Sequence, residues 1–187
     1  MEPEFKRWPK TARFNRDIIV SEKIDGTNGV IYIDPFPEKP GDVQNIYAGS
    51  RNRWLTKKTD NFGFRAWVIA NGQELFKLGP GYHYGEWWGH GIQRGYLLPA
   101  GDRRFSLFNA VRWADKAIRP SCCGIVPVMY LGPMDQKRIN DCIRYLRIHG
   151  SMATPFLNPE GIVVFHTHAN KGFKITLKND EKEKGEK

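Results

Sequence analysis

The sequence predicts an α+β domain built from many strands and few helices. Its 187 residues are enough for one domain with its own core, whereas two domains would each be small. Short runs of apolar, β-branched and aromatic residues recur between Gly, Pro, Asn and Asp, as is typical of strands. They predict eight strands, at residues 17–20, 29–33, 45–49, 83–88, 105–110, 125–131, 161–166 and 172–177.

Two segments have the periodicity of a helix instead. Residues 61–78 carry apolar side chains at helical spacing, with an interruption at Gly72. Residues 135–149 have a clearer pattern, because Asp135 can cap the start and Gly150 the end. One apolar stripe runs along this second segment, formed by Ile139, Cys142, Ile143 and Leu146. We expect both helices to pack outside the sheets.

The end of the chain differs in composition from the rest. From residue 179 onward it is almost wholly charged, which is typical of disordered segments. No internal repeat or linker divides the preceding part. The sequence therefore predicts one domain at residues 1–178 and a disordered tail at 179–187.

Charge and cysteine content narrow the class of protein. The formal net charge is +9, so the chain should attract polyanions such as nucleic acid or nucleotides, although a solubilising surface is the alternative. Three cysteines without zinc-site spacing favour a reduced, intracellular protein, with the adjacent pair structural. No apolar run approaches the roughly 20 residues that span a bilayer, and the start lacks a signal-peptide core. We expect a cytoplasmic protein without membrane association.

One lysine stands out as a candidate nucleophile. Lys23 ends an apolar run and is followed by Asp25 and Gly26, then by the small polar residues Thr27 and Asn28. A lysine amine is protonated at neutral pH and attacks only where burial or nearby cations favour its neutral form. A strand end that opens into a pocket is a suitable place. The alternative is a surface lysine beside a turn.

Four further segments change the interpretation of Lys23. They are Ser-Arg-Asn-Arg at 50–53, Tyr-Gly-Glu-Trp-Trp-Gly at 84–89, Asn-Pro-Glu-Gly-Ile-Val-Val-Phe at 158–165 and Phe-Lys-Ile-Thr-Leu-Lys at 173–178. In order and spacing they resemble the motifs of the covalent nucleotidyltransferase superfamily, which comprises polynucleotide ligases and messenger RNA capping enzymes. The Lys-Ile-Asp-Gly at 23–26 matches its nucleophile motif, and the Glu-Gly-Ile-Val at 160–163 matches its metal-binding strand motif.

This resemblance, which runs from Lys23 to Lys178, implies both a fold and a reaction. The fold is that of a nucleotidyltransferase, an ATP-grasp-like ligase catalytic domain. In it, two mainly antiparallel sheets flank a nucleotide pocket, with helices at the periphery. In the reaction, the lysine takes a nucleotide from a nucleoside triphosphate, expels pyrophosphate and passes the nucleotide on.

The resemblance also implies the site residues. Lys23 would be catalytic, and Glu160 would bind the metal, Mg²⁺ or Mn²⁺. Glu86 would contact the ribose, Arg51 the nucleotide phosphate or the strand ends, and Asn28 the phosphate or a metal-bound water. The full set expected to contact the nucleotide is Glu22, Lys23, Asn28, Arg51, Glu86, Phe108, Lys174 and Lys178.

Residue chemistry supports the last strand independently. Nucleotidyl transfer concentrates negative charge on phosphate, so the site needs cations and an anionic metal ligand. Strand alternation would place Lys174, Thr176 and Lys178 on one face. The alternative is an edge strand that uses lysines to discourage pairing. The superfamily usually has two lysines one residue apart here, so Thr176 leaves open whether Lys178 takes the second position.

Other candidates carry alternatives. Phe108 is the expected platform for the purine, with Phe105 or Trp113 as the other choices. Glu86 could instead pair with Arg94. The spacing of His166 and His168 can bind metal, but no third ligand is evident in the sequence, so we interpret both as strand-face or surface residues. Asn109 stands where relatives often have an acidic residue, so we assign no metal role to it.

The branch of the superfamily follows from further resemblance. After Lys178 there are too few residues for the β-barrel that DNA ligases and capping enzymes append, and residues 89–96 and 105–109 look like compact RNA ligases of phages and bacteria. We therefore expect an ATP-dependent RNA ligase acting in RNA repair on nicked duplexes or broken ends, with adenine inferred from the branch. The alternatives are a minimal DNA or mixed RNA/DNA ligase, and a catalytically inactive nucleic-acid-binding relative.

Overall fold

Two β-sheets form the framework of the protein. The computed structural model describes residues 3–36, 38–39 and 41–178; the predicted tail at 179–187 lies outside them. The strands are β1 (Asp17–Lys23), β2 (Thr27–Ile33), β3 (Ile46–Gly49), β4 (Gly81–Gly89), β5 (Arg103–Leu107), β6 (Cys123–Ile125), β7 (Val128–Pro133), β8 (Gly161–His166) and β9 (Lys171–Thr176). The helices are α1 (Phe64–Ala70), α2 (Gly72–Leu75) and α3 (Gln136–His149).

The sheets have the mainly antiparallel character that was predicted. A four-stranded sheet has the order β7-β1-β8-β9, and a five-stranded sheet has the order β3-β2-β4-β5-β6. Within the described chain, every strand pair is antiparallel except β5 with β6. The α+β prediction is confirmed.

Helix α3 covers the outer face of the four-stranded sheet. Its apolar stripe packs on Ile18 and Val20 of β1 and on Ile162 and Val164 of β8. The carboxylate of Asp135 accepts the N–H of Lys137 at 2.7 Å, which satisfies a backbone donor at the helix start. The predicted second helix is therefore confirmed, with its cap.

Helices α1 and α2 cover the outer face of the five-stranded sheet. The predicted helix at 61–78 is three pieces: α1, α2 and a 3₁₀ turn at Phe76–Leu78. The break at Asn71 precedes Gly72, where a Cβ would lie 2.6 Å from Val43 Cγ1. The glycine therefore allows the second piece to pack closely on the segment before β3.

Two strand predictions need correction. The strand predicted at 125–131 is divided between the two sheets, because Pro127 has no N–H for a ladder and separates β6 from β7. The strand predicted at 105–110 ends at Leu107, so Phe108 belongs to the following turn, where the N–H of Ala110 bonds its carbonyl at 2.8 Å.

The described part of the chain adds two observations. None of its helices has the length and apolar character that crossing a bilayer requires. Its three cysteines form no disulfide; Cys123 and Cys142 are buried and Cys122 is partly buried.

Candidate active site

A cleft of about 600 Å³ lies between the inner faces of the two sheets. The four-stranded sheet contributes alternate residues of β1, which are Ile19, Ser21 and Lys23. The five-stranded sheet contributes residues of β2 and β4, and the turn after β5 closes one side. Chain segments that are far apart in sequence thus meet in one concave site, where ligand sites usually occur.

Lys23 lines this cleft as the last residue of β1. It is opposite Gly161 in the pairing of β1 with β8, so the residue before that glycine, Glu160, comes within reach. The Lys23 Nζ donates to Glu160 Oε2 at 2.5 Å, and both side chains are partly buried. A Cβ at Gly161 would lie against the Ile175 carbonyl, so the glycine lets β9 approach this end of β8.

Glu86 is the most perturbed carboxyl group in the cleft. It is 8% exposed and lies opposite Asn28 in the pairing of β2 with β4. Its oxygens accept the N–H of Gly26 at 3.1 Å and the side-chain amide of Asn28 at 3.4 Å. Burial raises the pKa of Glu86 to about 7, against the lowering effect of Lys23 and of the Gly26 N–H.

The turn between β1 and β2 is packed tightly on β4. A Cβ at Gly26 would lie 2.5 Å from the Trp87 carbonyl oxygen and 3.0 Å from Glu86 Cγ. Only glycine fits this approach, which brings the Lys23 strand end and the Glu86 carboxyl group to the same site.

Arg94 joins the two segments that carry Lys23 and Glu160. Its Nε lies 2.8 Å from Asp25 Oδ2, and its Nη1 donates to the carbonyls of Asn158 and Pro159 at 2.8 and 3.0 Å. The suggested alternative partner of Glu86 is therefore paired with Asp25 instead. A planar guanidinium with several donors suits such a bridge.

Tyr96 supports the turn between β1 and β2 through a hydrogen bond with Asp25. It is fully buried, and its hydroxyl accepts the N–H of Asp25 at 2.9 Å. Burial raises the pKa of this hydroxyl, against the lowering effect of the backbone N–H groups of Asp25 and Glu160. No sequence pattern assigns a site role to Arg94 or Tyr96. The glycine-rich segment around them was a usable signal, but no spacing rule connects it to Lys23.

Apolar side chains line the rest of the cleft. Phe108 is 43% exposed and lines it, whereas Phe105 is 0% exposed and packs in the core with Phe64. Trp113 also borders the cleft but is only 4% exposed. Phe165 faces the cleft from β8. Among the three aromatic candidates, Phe108 has the most ring surface available for a planar base.

The remaining predicted residues lie at or beyond the edge. Lys174 is exposed and opposite Val163 in the pairing of β8 with β9, so it shares the sheet face that lines the cleft. Lys178 lies beyond β9, which ends at Thr176, so one strand does not present both lysines. Arg51 is exposed at the tip of the turn after β3. Over the described residues, the lining includes none of these three cations.

Glu22 borders the cleft but differs from the other predicted contacts. Alternation places it with Ile18 and Val20 on the opposite face of β1 from Lys23. Its Oε2 accepts the N–H of Met152 at 2.7 Å, and its buried Oε1 has no hydrogen-bond partner among the residues the structure describes. Burial raises the pKa of Glu22, against the lowering effect of hydrogen bonds from residues 151–153.

The metal prediction can be tested on the donor set. No group of three or more His, Cys, Asp or Glu side chains in the described chain is placed to hold a metal ion. His166 Nε2 donates to the Phe14 carbonyl and its Nδ1 accepts the Ala169 N–H, while His168 is exposed, in keeping with their assignment as strand-face and surface residues. Mg²⁺ is also commonly bound by one carboxylate together with substrate phosphates, and Glu160 fits that kind of site.

Comparison with known proteins agrees with this geometry. A sequence model of the RNA ligase family matches residues 16–179. Solved variants of Naegleria gruberi RNA ligase are similar in structure. One without ligand has a TM-score of 0.61 at 19% identity over 90% of this chain and 51% of that chain. One with AMP and Mn has a TM-score of 0.62 at 18% identity, covering 87% and 50% of the respective chains.

The matched structures are longer than this chain. A variant of the same ligase with ATP and Mn has a TM-score of 0.63 at 17% identity over 88% of this chain. The chain thus spans about half the length of the solved structures it matches. No match is found among curated protein sequences.

Proposed function

The chain belongs to the RNA ligase family, and from that premise we propose that it is an ATP-dependent RNA ligase that works through a lysyl-AMP intermediate. The observation that carries the proposal is the ion pair between Glu160 and Lys23, which lines a cleft between two sheets. A lysine held beside a carboxylate and next to a pocket of nucleotide size can act as a nucleophile toward a bound phosphate.

In the first step, Lys23 Nζ attacks the α-phosphorus of ATP. A nitrogen–phosphorus bond forms, the bond to the bridging oxygen breaks, and pyrophosphate leaves with the electron pair of that bond. The protonated amine must lose one proton before it attacks and a second as the phosphoramidate forms; in this proposal Glu160 Oε2, at 2.5 Å, accepts the first and water accepts the second. Geometry of this kind favours attack because the reacting groups are already in place.

The other cleft residues would hold the nucleotide. Phe108 would stack on the base, and Glu86 would accept a hydrogen bond from the ribose, with Asn28 beside it. Glu22 would act from the opposite face of β1, where the Met152 N–H holds its carboxyl group behind Lys23. These contacts explain a cleft with an apolar wall and a polar end.

Cations outside the lining would act on the phosphates. Lys174 lies on the cleft face of β9 and would neutralise the triphosphate, with Arg51 and Lys178 as further phosphate contacts at the edge. Glu160 and the nucleotide phosphates would together hold Mg²⁺ or Mn²⁺, which supplies positive charge to the phosphate oxygens.

The later steps would join nucleic acid ends. AMP passes from Lys23 to a 5′-phosphate, and a 3′-hydroxyl then attacks that phosphate and displaces AMP. The acceptor in this proposal is RNA, as a nicked duplex or as broken ends, which is the chemistry of RNA repair. The high positive charge of the chain suits such a partner.

A labelling experiment tests the first step. ATP radiolabelled at the α-phosphate, with Mg²⁺ or Mn²⁺, should leave label on the protein after a denaturing gel, and ATP labelled at the γ-phosphate should not. Lys23→Arg should abolish the label, because it keeps the charge without the nucleophile. Lys77→Arg is the matched control, since Lys77 pairs with Glu74 at 2.8 Å away from the cleft.

The outcomes distinguish the alternatives. A label that survives Lys23→Arg would overturn the mechanism. A folded wild type that binds nucleic acid but takes no label would be the inactive relative. A panel of nicked and single-stranded RNA and DNA substrates then separates an RNA ligase from a DNA or mixed ligase.

A further inference from the structure

Five aromatic rings form one continuous surface on the inner face of the five-stranded sheet. This aromatic face consists of Tyr32 on β2, Tyr47 on β3, Tyr82 and Tyr84 on β4, and Trp54 from the turn after β3. The strand register places Tyr47, Tyr32 and Tyr82 side by side across three strands. Ring centroids lie 6.0 Å apart for Tyr32 and Tyr47 and 4.6 Å apart for Tyr32 and Tyr82.

Four of these rings are open to solvent although the sheet has a core on its other side, and Tyr32 between them is partly buried. Exposure is 46% for Tyr47, 47% for Trp54, 56% for Tyr82 and 53% for Tyr84. The intervening residues of β2, including Ile31 and Ile33, point to the opposite face and are buried in the core. A contiguous exposed apolar patch on a folded domain marks an interaction site.

Backbone hydrogen bonds and ring packing fix the position of Trp54. The chain folds back through a turn in which the Ser50 N–H bonds the Arg53 carbonyl at 2.8 Å, and Leu55 N–H bonds the Ala48 carbonyl at 2.8 Å. The indole packs over Gly49, where a Cβ would lie 3.1 Å from Trp54 Cε3. A fixed ring binds a flat partner without a further loss of side-chain freedom.

The charges nearby favour a polyanion as the occupant. Arg51 and Arg53 are exposed on the turn that carries Trp54, and Lys57 and Lys58 follow it, all exposed. Flat rings flanked by cations match single-stranded nucleic acid, in which bases stack on aromatic side chains while phosphates contact basic residues.

The aromatic face is also continuous with the cleft. Tyr82 and Tyr84 line the cleft as well, and Tyr82 lies four residues before Glu86 on β4, which is about 13 Å at the rise of a strand. A single-stranded nucleic acid whose end lies in the cleft would therefore extend across these rings.

We propose that the aromatic face binds single-stranded RNA by base stacking and guides the end to be joined toward Lys23. It would hold about two or three bases, as aromatic sheet faces do in other RNA-binding domains. This inference rests on the proposed function for the identity of the strand, but it makes a separate claim about binding.

The test measures equilibrium binding of fluorescein-labelled oligouridylate and oligoadenylate by anisotropy. Trp54→Leu and Tyr47→Leu, which alter rings outside the cleft lining, should each weaken binding about 5- to 100-fold. Trp54→Phe should restore most of the affinity because it keeps a ring. Tyr145→Leu is the matched control, since Tyr145 is 43% exposed on α3.

Salt dependence and strand type sharpen the result. Removing a ring should leave the slope of log affinity against log salt unchanged, whereas Arg51→Gln or Arg53→Gln should reduce it by about 0.7 each if the residue contacts a phosphate of a single strand. Affinity for a blunt RNA duplex should not respond to Trp54→Leu, because paired bases are not free to stack.

Three outcomes would overturn the inference. The first is wild-type RNA affinity in folded Trp54→Leu and Tyr47→Leu proteins. The second is an equal loss of affinity for duplex and single-stranded RNA. The third is a wild-type dimer in light scattering that these variants lose, which would make the face an interface between copies. Covalent labelling by ATP is measured in parallel. Its absence from the wild type would contradict the proposed function, while a retained label with unaltered RNA affinity would contradict only the aromatic face.

Discussion

Strands β2 and β4 present two different surfaces on one face of the same sheet. At one end, Asn28 lies opposite Glu86, which is 8% exposed and has a pKa raised to about 7 by burial. Four residues along, Tyr32 lies opposite Tyr82, which is 56% exposed. The Glu86 carboxyl group is thus buried in the cleft, whereas the Tyr82 ring is open to solvent.

In the proposed mechanism, the polar end would serve catalysis and the aromatic end would serve RNA binding. A buried carboxyl group needs fixed partners, so the polar end depends on single atoms such as the Gly26 N–H. Binding at the aromatic end would depend on exposed ring area, so a substitution that keeps a ring, such as Trp54→Phe, should be tolerated. We therefore expect substitutions at the polar end to change adenylylation, and those of the rings outside the cleft lining, Tyr47 and Trp54, to change RNA affinity alone.

The largest effect at the polar end is expected for Glu160→Gln. It removes the charge beside Lys23 and the carboxylate assigned to the metal, so covalent labelling should fall about 100- to 1,000-fold. Rates of labelling in single-turnover reactions measure this. Glu74→Gln removes the carboxylate of a Lys–Glu pair outside the cleft and should leave labelling unchanged. Equal losses in both variants would contradict a special site at Glu160.

Glu86 should make stability depend on pH. Its pKa is raised from 4.5 to about 7 in the folded protein, so the folded state retains a proton that the unfolded state releases. The contribution of this group to stability is complete below pH 4.5 and is lost as the pH rises through about 7, by up to about 3 kcal/mol. Urea unfolding at several pH values should therefore show a steeper decline for the wild type than for Glu86→Gln, and parallel curves would contradict the assignment.

Gly26→Ala tests whether close packing creates the polar end. A Cβ would lie 2.5 Å from the Trp87 carbonyl oxygen and 2.8 Å from Trp88 Cβ, so we expect a loss of about 1–3 kcal/mol in unfolding free energy, with slower labelling. Gly172→Ala is the control, because the nearest atom to its Cβ would be Val163 Cγ1 at 3.5 Å. A Gly26→Ala protein as stable and as active as the control would refute the packing argument.

Arg94→Lys should have the smallest effect of the series. A lysine keeps the charge but cannot bridge Asp25 and the carbonyls of Asn158 and Pro159, so labelling should slow about tenfold while RNA affinity is unchanged. Arg104→Lys is the matched control at the exposed pair with Asp102. If the two substitutions had the same effect on labelling, the bridge would have no part in placing Lys23.

Local sequence patterns predicted much of the framework. The cap at Asp135 and the apolar stripe that follows it determine α3, because both signals come from adjacent turns of one helix. Both ends of β8 and the C-terminal end of β2 followed from runs of β-branched residues, whereas β2 begins two residues before its predicted start. Motif order placed Lys23 and Glu160 together by resemblance, and the structure pairs their side chains.

What the sequence could not supply depends on contacts between distant segments. The bridge from Arg94 to Asp25 and Asn158 joins residues more than sixty positions apart, and no periodicity records it. The division of residues 125–131 between two sheets depends on where each half finds a partner strand. The aromatic face was missed because a tyrosine in a strand has the same local pattern whether its face is covered or open.

Peptide mapping of the adenylated protein tests the central claim most directly. Wild-type protein is incubated with ATP and Mg²⁺ or Mn²⁺, denatured under conditions that preserve a phosphoramidate, digested and analysed by mass spectrometry. The account predicts one adenylate per chain, on the peptide that contains Lys23, and none on that peptide in Lys23→Arg. An adenylate on a different residue, or a folded wild type that carries none, would contradict it.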